Sequence, residues 1–166
     1  MRRGLNTILM KQFFIFVLCV FSLFGSCASS DKNGGAPSPK NNSNNNANPT
    51  GIKMKIKVGN HTFTATLYDN ATTAAFKPML PMTVNMVELN QNEKYVDLTK
   101  HLPTNASNPG TIQNGDLMLY GSNTLVLFYK TFSTSYSYTK LGRIDDVGEL
   151  SDAVGSGNVT VTFELE

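Results

Sequence analysis

Cysteine and histidine are both scarce in this 166-residue chain, with two of each. Cys19 lies within an apolar N-terminal run and Cys27 lies three residues after its end, so the rest of the chain has no cysteine. A disulfide, a zinc–thiolate site and a cysteine nucleophile are therefore excluded for that region. His61 and His101 are far apart in sequence and have no third metal-binding residue spaced around them. We expect no metal and no cofactor.

An excess of basic charge is also lacking. The formal net charge is +2, from 14 basic and 12 acidic residues, but three of the basic residues lie before position 26. The remainder carries 11 basic and 12 acidic residues, a net charge of −1. Nucleic-acid binding depends on a basic surface that faces the phosphates. We therefore expect no nucleic-acid partner.

No apolar run is long enough to span a bilayer, which takes about 20 residues. The longest, Phe13–Phe24, has 12 residues and follows Arg2, Arg3 and Lys11. A basic start, a short apolar run and small residues before a cleavage point are typical of a secretory signal peptide. We predict a signal peptide over residues 1–26, with an uncleaved anchor as the alternative.

The end of this run, Leu23-Phe-Gly-Ser-Cys27, resembles the bacterial lipobox. The resemblance implies that Cys27 receives a diacylglyceryl group and becomes the first residue of the mature protein. Phe24 departs from the usual leucine or valine, and a chance cysteine near an ordinary cleavage site is the alternative. Two acyl chains suffice for a stable anchor where one does not. We expect an exported lipoprotein whose partner is a membrane of the bacterial cell envelope, the outer membrane rather than the inner.

Residues 27–50 lack aromatic and large aliphatic side chains and are rich in asparagine, serine and proline. Such a segment cannot bury enough apolar surface to offset the entropy lost on ordering. We predict a disordered tether that holds the following domain ~25–30 Å from the membrane, since a flexible coil spans about 5–6 Å × √n.

From residue 51 onward, apolar and polar residues alternate with the period of a β-strand. Alternation over 52–58 and 61–68, interrupted by Gly59-Asn60, predicts a hairpin. Asp69 or Asn70 is placed to cap a short helix over 71–76, which the prolines at 78 and 81 keep short. Further strands are predicted over 82–89, 95–98, 117–120, 124–132, 140–144 and 158–165.

A second helix is predicted over 147–154, with Asp146 as its cap and Gly155 as its end. The pair 117–120 and 124–132 is apolar on both faces and is predicted to be the central hairpin. About eight strands with two short helices favour closure into a β-barrel or a two-layer sandwich. The predicted class is mainly β, a single domain over residues 51–166.

Three segments resemble the cyclophilins. Tyr68–Phe76 is similar to the family's strand leading into a helix that ends in a buried phenylalanine. Leu117–Tyr129 is similar to its central hairpin, and Leu141–Val154 to its strand and second helix. Met79-Leu-Pro-Met82 and Gly115-Asp-Leu-Met-Leu-Tyr-Gly121 are strings familiar from small bacterial cyclophilin-like proteins. The resemblance covers about residues 53–165 and implies a closed cyclophilin-like barrel.

The activity that the resemblance implies, peptidyl-prolyl isomerisation, relies in the family on an arginine within a Phe-His-Arg string. The matching stretch, Glu93–Thr99, has none of these three residues, and Arg143 falls where the family has an ordinary strand residue. The chain also has no tryptophan to line the pocket. We expect no catalytic residue and predict a domain that binds a peptide or small ligand. A divergent prolyl isomerase and a structural or adhesion module are the alternatives.

Six aromatic residues lie between positions 120 and 138, and they could form a core or a groove wall. In one arrangement of the alternating strand, Leu125, Leu127 and Tyr129 share a face opposite to Val126 and Phe128. By the resemblance, that first face would border the groove where cyclophilins bind peptide. The predicted binding surface is therefore Tyr120, Leu125, Leu127 and Tyr129.

Overall fold

The computed structural model describes residues 51–166; the predicted signal peptide (1–26), Cys27 and the tether (27–50) lie outside the described residues. The ten strands of this region are β1 Lys53–Val58, β2 His61–Leu67, β3 Met82–Leu89, β4 Glu93–Asp97, β5 Thr111–Ile112, β6 Asp116–Tyr120, β7 Thr124–Phe128, β8 Phe132–Ser133, β9 Thr139–Ile144 and β10 Val159–Leu165. The two α-helices are α1 Ala71–Phe76 and α2 Leu150–Val154, and a 3₁₀ turn covers Lys77–Met79. None of the helices between residues 51 and 166 is long and apolar enough to cross a membrane.

Eight of these strands form a closed antiparallel barrel in the order β1-β10-β3-β4-β7-β6-β9-β2. The predicted hairpin at 59–60 is confirmed, because Val58 pairs with His61 across a two-residue turn. Strand β1 has the alternating burial that its sequence pattern predicts, with Met54, Ile56 and Val58 buried in the barrel core. The predicted mainly-β closed barrel with two short helices is confirmed. The short strands β5 and β8 form a separate two-stranded sheet.

Helix α1 begins and ends for local reasons that the sequence indicates. The side chain of Asn70 accepts a hydrogen bond from the backbone N–H of Thr73 at 2.8 Å, which caps the first turn. The helix ends at Phe76, and Pro78 continues the chain in the 3₁₀ turn because proline cannot donate to the preceding turn. Phe76 is fully buried and packs edge-on against Phe163 of β10, with 6.5 Å between ring centroids.

Helix α2 is shorter than predicted and is capped differently. It starts at Leu150, and Glu149 occupies the cap position without a side-chain cap. Asp146 instead accepts a hydrogen bond from the backbone N–H of Gly148 at 3.0 Å, so it stabilises the turn before the helix. Gly155 ends the helix, as predicted, with a positive φ of 59°.

Strand β7 also ends earlier than predicted, at Phe128 rather than at Phe132. The backbone N–H of Tyr129 donates to the carbonyl of Asn92, which lies before β4, and the ladder with β6 has already ended. The chain then turns, and Phe132 pairs with Ile112 in the small sheet. This turn carries residues 130–138 across the outside of the barrel.

Candidate functional site

Strand β7 is apolar on both faces because it separates two hydrophobic clusters. Leu125 and Leu127 are fully buried in the barrel core. Val126 and Phe128 belong to a second, smaller cluster on the outer face of the barrel. The other members of this outer cluster are Ile112, Met118 and Tyr138, with Tyr95 and Phe132 packed against them. The segment 130–138 therefore covers part of the outer barrel face.

The structure separates the four residues predicted to line a binding surface. Leu125 and Leu127 point into the barrel, the reverse of the expected orientation. Tyr129 is 4% exposed and also belongs to the barrel core. Tyr120, which is 46% exposed, is the member of the four that borders a groove. The alternation along β7 was predicted correctly, but its two faces were assigned in the wrong order.

A groove of about 590 Å³ lies over the outer face of β4 and β7, beside the outer cluster. Its volume is in the range of small-ligand sites, ~300–1,000 Å³. Strands β4 and β7 contribute Tyr95 and Val126 to it. The remaining lining residues are Leu89, Asn90, Asn92, Glu93, Asp97, Tyr120, Thr124, Phe132, Ser133, Thr134, Ser135, Tyr136 and Tyr138.

One wall of the groove is aromatic. Tyr120 contacts Tyr136 edge-on, with ring centroids 6.1 Å apart, and lies 5.6 Å from the ring of Tyr138. Tyr138 is held in turn against Phe128 of the outer cluster at 5.4 Å. Tyr136 is 61% exposed, whereas Tyr138 is 7% exposed. The wall thus combines a ring fixed by packing with two rings that present apolar area and a polar hydroxyl to solvent.

The charged residues that line the groove are both acidic. Asp97 accepts a hydrogen bond from the hydroxyl of Thr124 at 2.6 Å. Glu93 is partly buried, and among residues 51–166 its carboxylate has no hydrogen bond and no ion pair. Lysine, arginine and histidine are absent from the lining residues of this groove.

The surroundings of Glu93 disfavour its negative charge. Burial raises the pKa of Glu93, and the nearby carboxylate of Glu88 raises it further. The pKa of Tyr138 is also raised, first by burial and then by the charge of Glu93, and both residues line the groove. Glu93 is therefore a carboxylate without a counter-charge at the edge of an apolar groove.

A buried lysine sets the direction in which the side chains of β4 point. Lys94 is fully buried and its ammonium group forms an ion pair with Glu88. It also donates hydrogen bonds to the carbonyl oxygens of Gly155 at 2.8 Å and Gly157 at 2.6 Å. Because neighbouring residues of a strand point to opposite faces, an inward Lys94 places Glu93 and Tyr95 on the groove side.

Tyr129 completes the polar cluster around Lys94. Its hydroxyl donates to Glu88 at 2.8 Å, and its ring centroid lies 5.1 Å from the ammonium nitrogen of Lys94. Burial and the hydrogen bond to Glu88 raise the pKa of Tyr129 to about 12. Burial alone would raise the pKa of Glu88, but hydrogen bonds from Lys94, Tyr129 and the backbone N–H of Gln91 outweigh it and lower that pKa. Tyr129 is thus part of the barrel's internal support.

The two histidines and Arg143 lie outside the groove and contact other residues. His61 contacts Glu149 at 3.1 Å between Nδ1 and Oε2, and His101 contacts the hydroxyl of Ser122 at 2.7 Å. Arg143 of β9 lies 3.9 Å from the carboxylate of Asp116. No group of three or more metal-binding side chains occurs between residues 51 and 166.

Sequence reasoning missed the two acidic groove residues and Tyr95. The cluster of aromatic residues between 120 and 138 was a usable signal, since Phe132, Tyr136 and Tyr138 do line the groove. Glu93 and Asp97 gave no such signal. Alternation along β4 pairs them with Tyr95, but a lysine at position 94 would ordinarily be expected on the outside.

A closed eight-stranded antiparallel barrel, with α1 packed near one end of β10 and α2 leading into the other, defines a protein of the cyclophilin-like class. The family comparison agrees. A model described as the Cyclophilin-like family matches residues 56–164, and the chain belongs to that family. The resemblance seen in the sequence is therefore confirmed at the level of fold and family.

A solved structure supports the same fold. The solution structure of a hypothetical protein from Archaeoglobus fulgidus is similar over 73% of this chain and 99% of its own, with a TM-score of 0.50. Sequence identity is 16%, so the likeness concerns the fold alone. No curated protein matches the chain.

Proposed function

We propose that this cyclophilin-like domain binds a peptide or small ligand in the outer groove without catalysing its isomerisation. The observation that carries the proposal is the groove itself, with Tyr95 and Val126 on the barrel side and tyrosine rings along one wall. Tyrosine is common at binding surfaces because it offers a large apolar area and one hydrogen-bonding tip. The exposed Tyr120 and Tyr136 rings would lose contact with water when a ligand binds.

The acidic character of the groove supports binding over isomerisation. An isomerase of the cyclophilin type needs a donor such as arginine near the prolyl nitrogen, where it stabilises the transition state. Glu93 and Asp97 are the charged groups at this groove, and neither carboxylate can donate when ionised. Arg143 is engaged on another strand pair and does not line the groove.

A proline-isomerisation assay tests the non-catalytic part of the proposal. The chain from residue 28 onward is suitable, because it contains the whole closed barrel and its core. We expect relaxation at the uncatalysed rate, tens to hundreds of seconds at 25 °C. Acceleration that disappears in a Tyr120→Ala variant would instead establish a divergent isomerase.

Ligand binding is tested separately, by amide chemical-shift mapping with a panel of short capped peptides. We expect shifts to concentrate at β4, β7 and residues 132–138, and to be lost in Tyr136→Ala. Leu165→Ala is a matched control, because Leu165 is also exposed on the surface, at 42%, but lies on β10 away from the groove. Shifts that are equally sensitive to both substitutions would argue against this groove.

We further propose that the domain is displayed at the cell envelope by a lipid on Cys27. The supporting evidence is the sequence, in which a signal-peptide pattern ends at a lipobox-like Leu23–Cys27 and a polar tether follows. Metabolic labelling with palmitate tests this. We expect label in the wild-type protein and none in Cys27→Ala, and label that persists in the variant would contradict lipidation at this residue.

A further inference from the structure

The groove is lined by two carboxylates and by no basic side chain, and this imbalance of charge indicates the chemistry of its ligand. Glu93 has no counter-charge within residues 51–166, and Asp97 on the same strand face adds a second negative charge. The lysine next to Glu93 in sequence cannot reach the groove, because it is buried on the opposite face and bonded to Glu88 and two backbone carbonyls. A cation from outside would therefore find an unpaired carboxylate.

The aromatic wall favours the same kind of group. Cations bind over the faces of tyrosine rings, and the attraction is stronger where water is partly excluded. The exposed rings of Tyr120 and Tyr136 belong to the same groove as the carboxylate. A basic group with an apolar stem could therefore place its stem against the rings while its charge meets Glu93.

We propose that the groove recognises a peptide segment that carries a lysine or arginine next to a hydrophobic residue, with Glu93 as the counter-charge. This inference rests on the proposed function and specifies its ligand. A peptide fits better than a free amine because the wall at 132–138 combines aromatic rings with serine and threonine hydroxyls. Rigid tyrosines interspersed with serine and threonine are typical of surfaces that bind polypeptides.

Three capped tripeptides form the direct test: Ac-Phe-Lys-Phe-NH₂, Ac-Phe-Nle-Phe-NH₂ with norleucine, and Ac-Phe-Glu-Phe-NH₂. Binding is measured by amide chemical shifts with the chain from residue 28, at pH 7.5 and low salt. We expect the lysine peptide to bind about tenfold more tightly than the norleucine peptide, and the glutamate peptide to bind most weakly. Shifts should concentrate around Glu93, Tyr95 and Val126.

The Glu93→Gln variant tests the role of the carboxylate. We expect it to remove the preference for lysine over norleucine while it leaves norleucine binding within about threefold. Glu164→Gln is the matched control, since Glu164 is a carboxylate outside the groove that pairs with Lys57. We expect this control to retain the tenfold preference.

Thermal unfolding distinguishes a ligand-binding carboxylate from a structural one. Because burial without a counter-charge raises the pKa of Glu93, its ionised form is disfavoured in the folded state. Glu93→Gln should therefore leave the midpoint of unfolding unchanged or raise it. A clear fall in the midpoint would show a structural role and would overturn the assignment of Glu93.

The remaining outcomes separate this inference from the proposed function. Equal binding of the lysine and norleucine peptides in the groove would overturn the cationic ligand but leave groove binding intact. Binding of 4-phenylbutylamine as tight as that of the lysine peptide would overturn the peptide and retain the cation. Failure of all these probes to shift groove resonances would count against both.

Discussion

The substitution of Lys94 by methionine would test whether the ion pair between the buried Lys94 and the partly buried Glu88 stabilises the barrel. The side chain is fully buried, and its ammonium group reaches Glu88 and the carbonyl oxygens of Gly155 and Gly157. Methionine keeps an apolar stem of similar length but lacks the terminal ammonium group, so the charge and all three hydrogen bonds are lost. Glu88 would then lose its cation, and two carbonyls at the end of α2 would lose their donor.

The expected loss is large for one side chain. Removal of one partner of a buried ion pair costs about 3–5 kcal/mol, because the other charge remains uncompensated. For a domain of about this size, each kcal/mol lowers the midpoint of thermal unfolding by about 4 °C. We therefore expect Lys94→Met to lower it by about 12–20 °C. The Tyr129 hydroxyl still donates to Glu88 and should keep the loss near the lower value.

Urea unfolding followed by circular dichroism measures the loss in the free energy of unfolding. The chain also offers a matched control. Lys57 also lies on a strand and pairs with a glutamate, Glu164, at 2.9 Å, but its side chain is 45% exposed. Exposed pairs contribute about 0–1 kcal/mol, so Lys57→Met should have little effect. Equal stability of Lys94→Met and Lys57→Met would show that the interactions of Lys94 do not stabilise the barrel. Replacement of both Lys94 and Glu88 by methionine should restore part of the loss.

Three further predictions concern stability. Gly142→Ala should lower the free energy of unfolding by about 1–3 kcal/mol, because the new Cβ would lie 2.9 Å from the carbonyl oxygen of Thr66. Gly157→Ala is the control, because a Cβ at that position meets open space. Equal urea midpoints for the two variants would show that the barrel yields at the Gly142 contact. Asn70→Ala should cost about 1 kcal/mol through loss of the α1 cap, and urea unfolding that matches the wild type would contradict that role. The pKa of Glu88 is lowered on folding, so its stabilisation is complete above its ordinary value of 4.5 and is lost as pH falls through the folded-state value. The Glu88→Gln variant should therefore be less stable than the wild type at pH 7, and this difference in stability should become smaller below pH 4.5, as measured by urea midpoints across pH. A difference that is the same at pH 3 and pH 7 would contradict this role of Glu88.

Some elements of the barrel could be predicted from the local sequence, and others could not. The period-2 pattern of residues 53–58 predicts a half-buried strand, and the structure confirms it. The cap at Asn70 and the glycine at 155 likewise follow from local chemistry. Asp146 was wrong as a cap because the chain makes a further turn before α2 begins, and nothing near Asp146 in sequence fixes where a five-residue helix starts.

The sequence by itself determined that the domain is mainly β, because alternation and turn chemistry are local properties. These patterns left a barrel and a two-layer sandwich as alternatives, and the resemblance to the cyclophilins favoured the closed barrel. The sequence also indicated that the second of the central strands would be apolar on both faces. Which face borders the groove was decided only by the tertiary structure. Leu125 and Leu127 point inward, whereas Val126 points outward and is buried there because the segment 130–138 crosses the outer face. The inward orientation of the Lys94 side chain likewise depends on partners distant in sequence, Gly155 and Gly157. Because Lys94 points inward, its neighbour Glu93 lies at the groove.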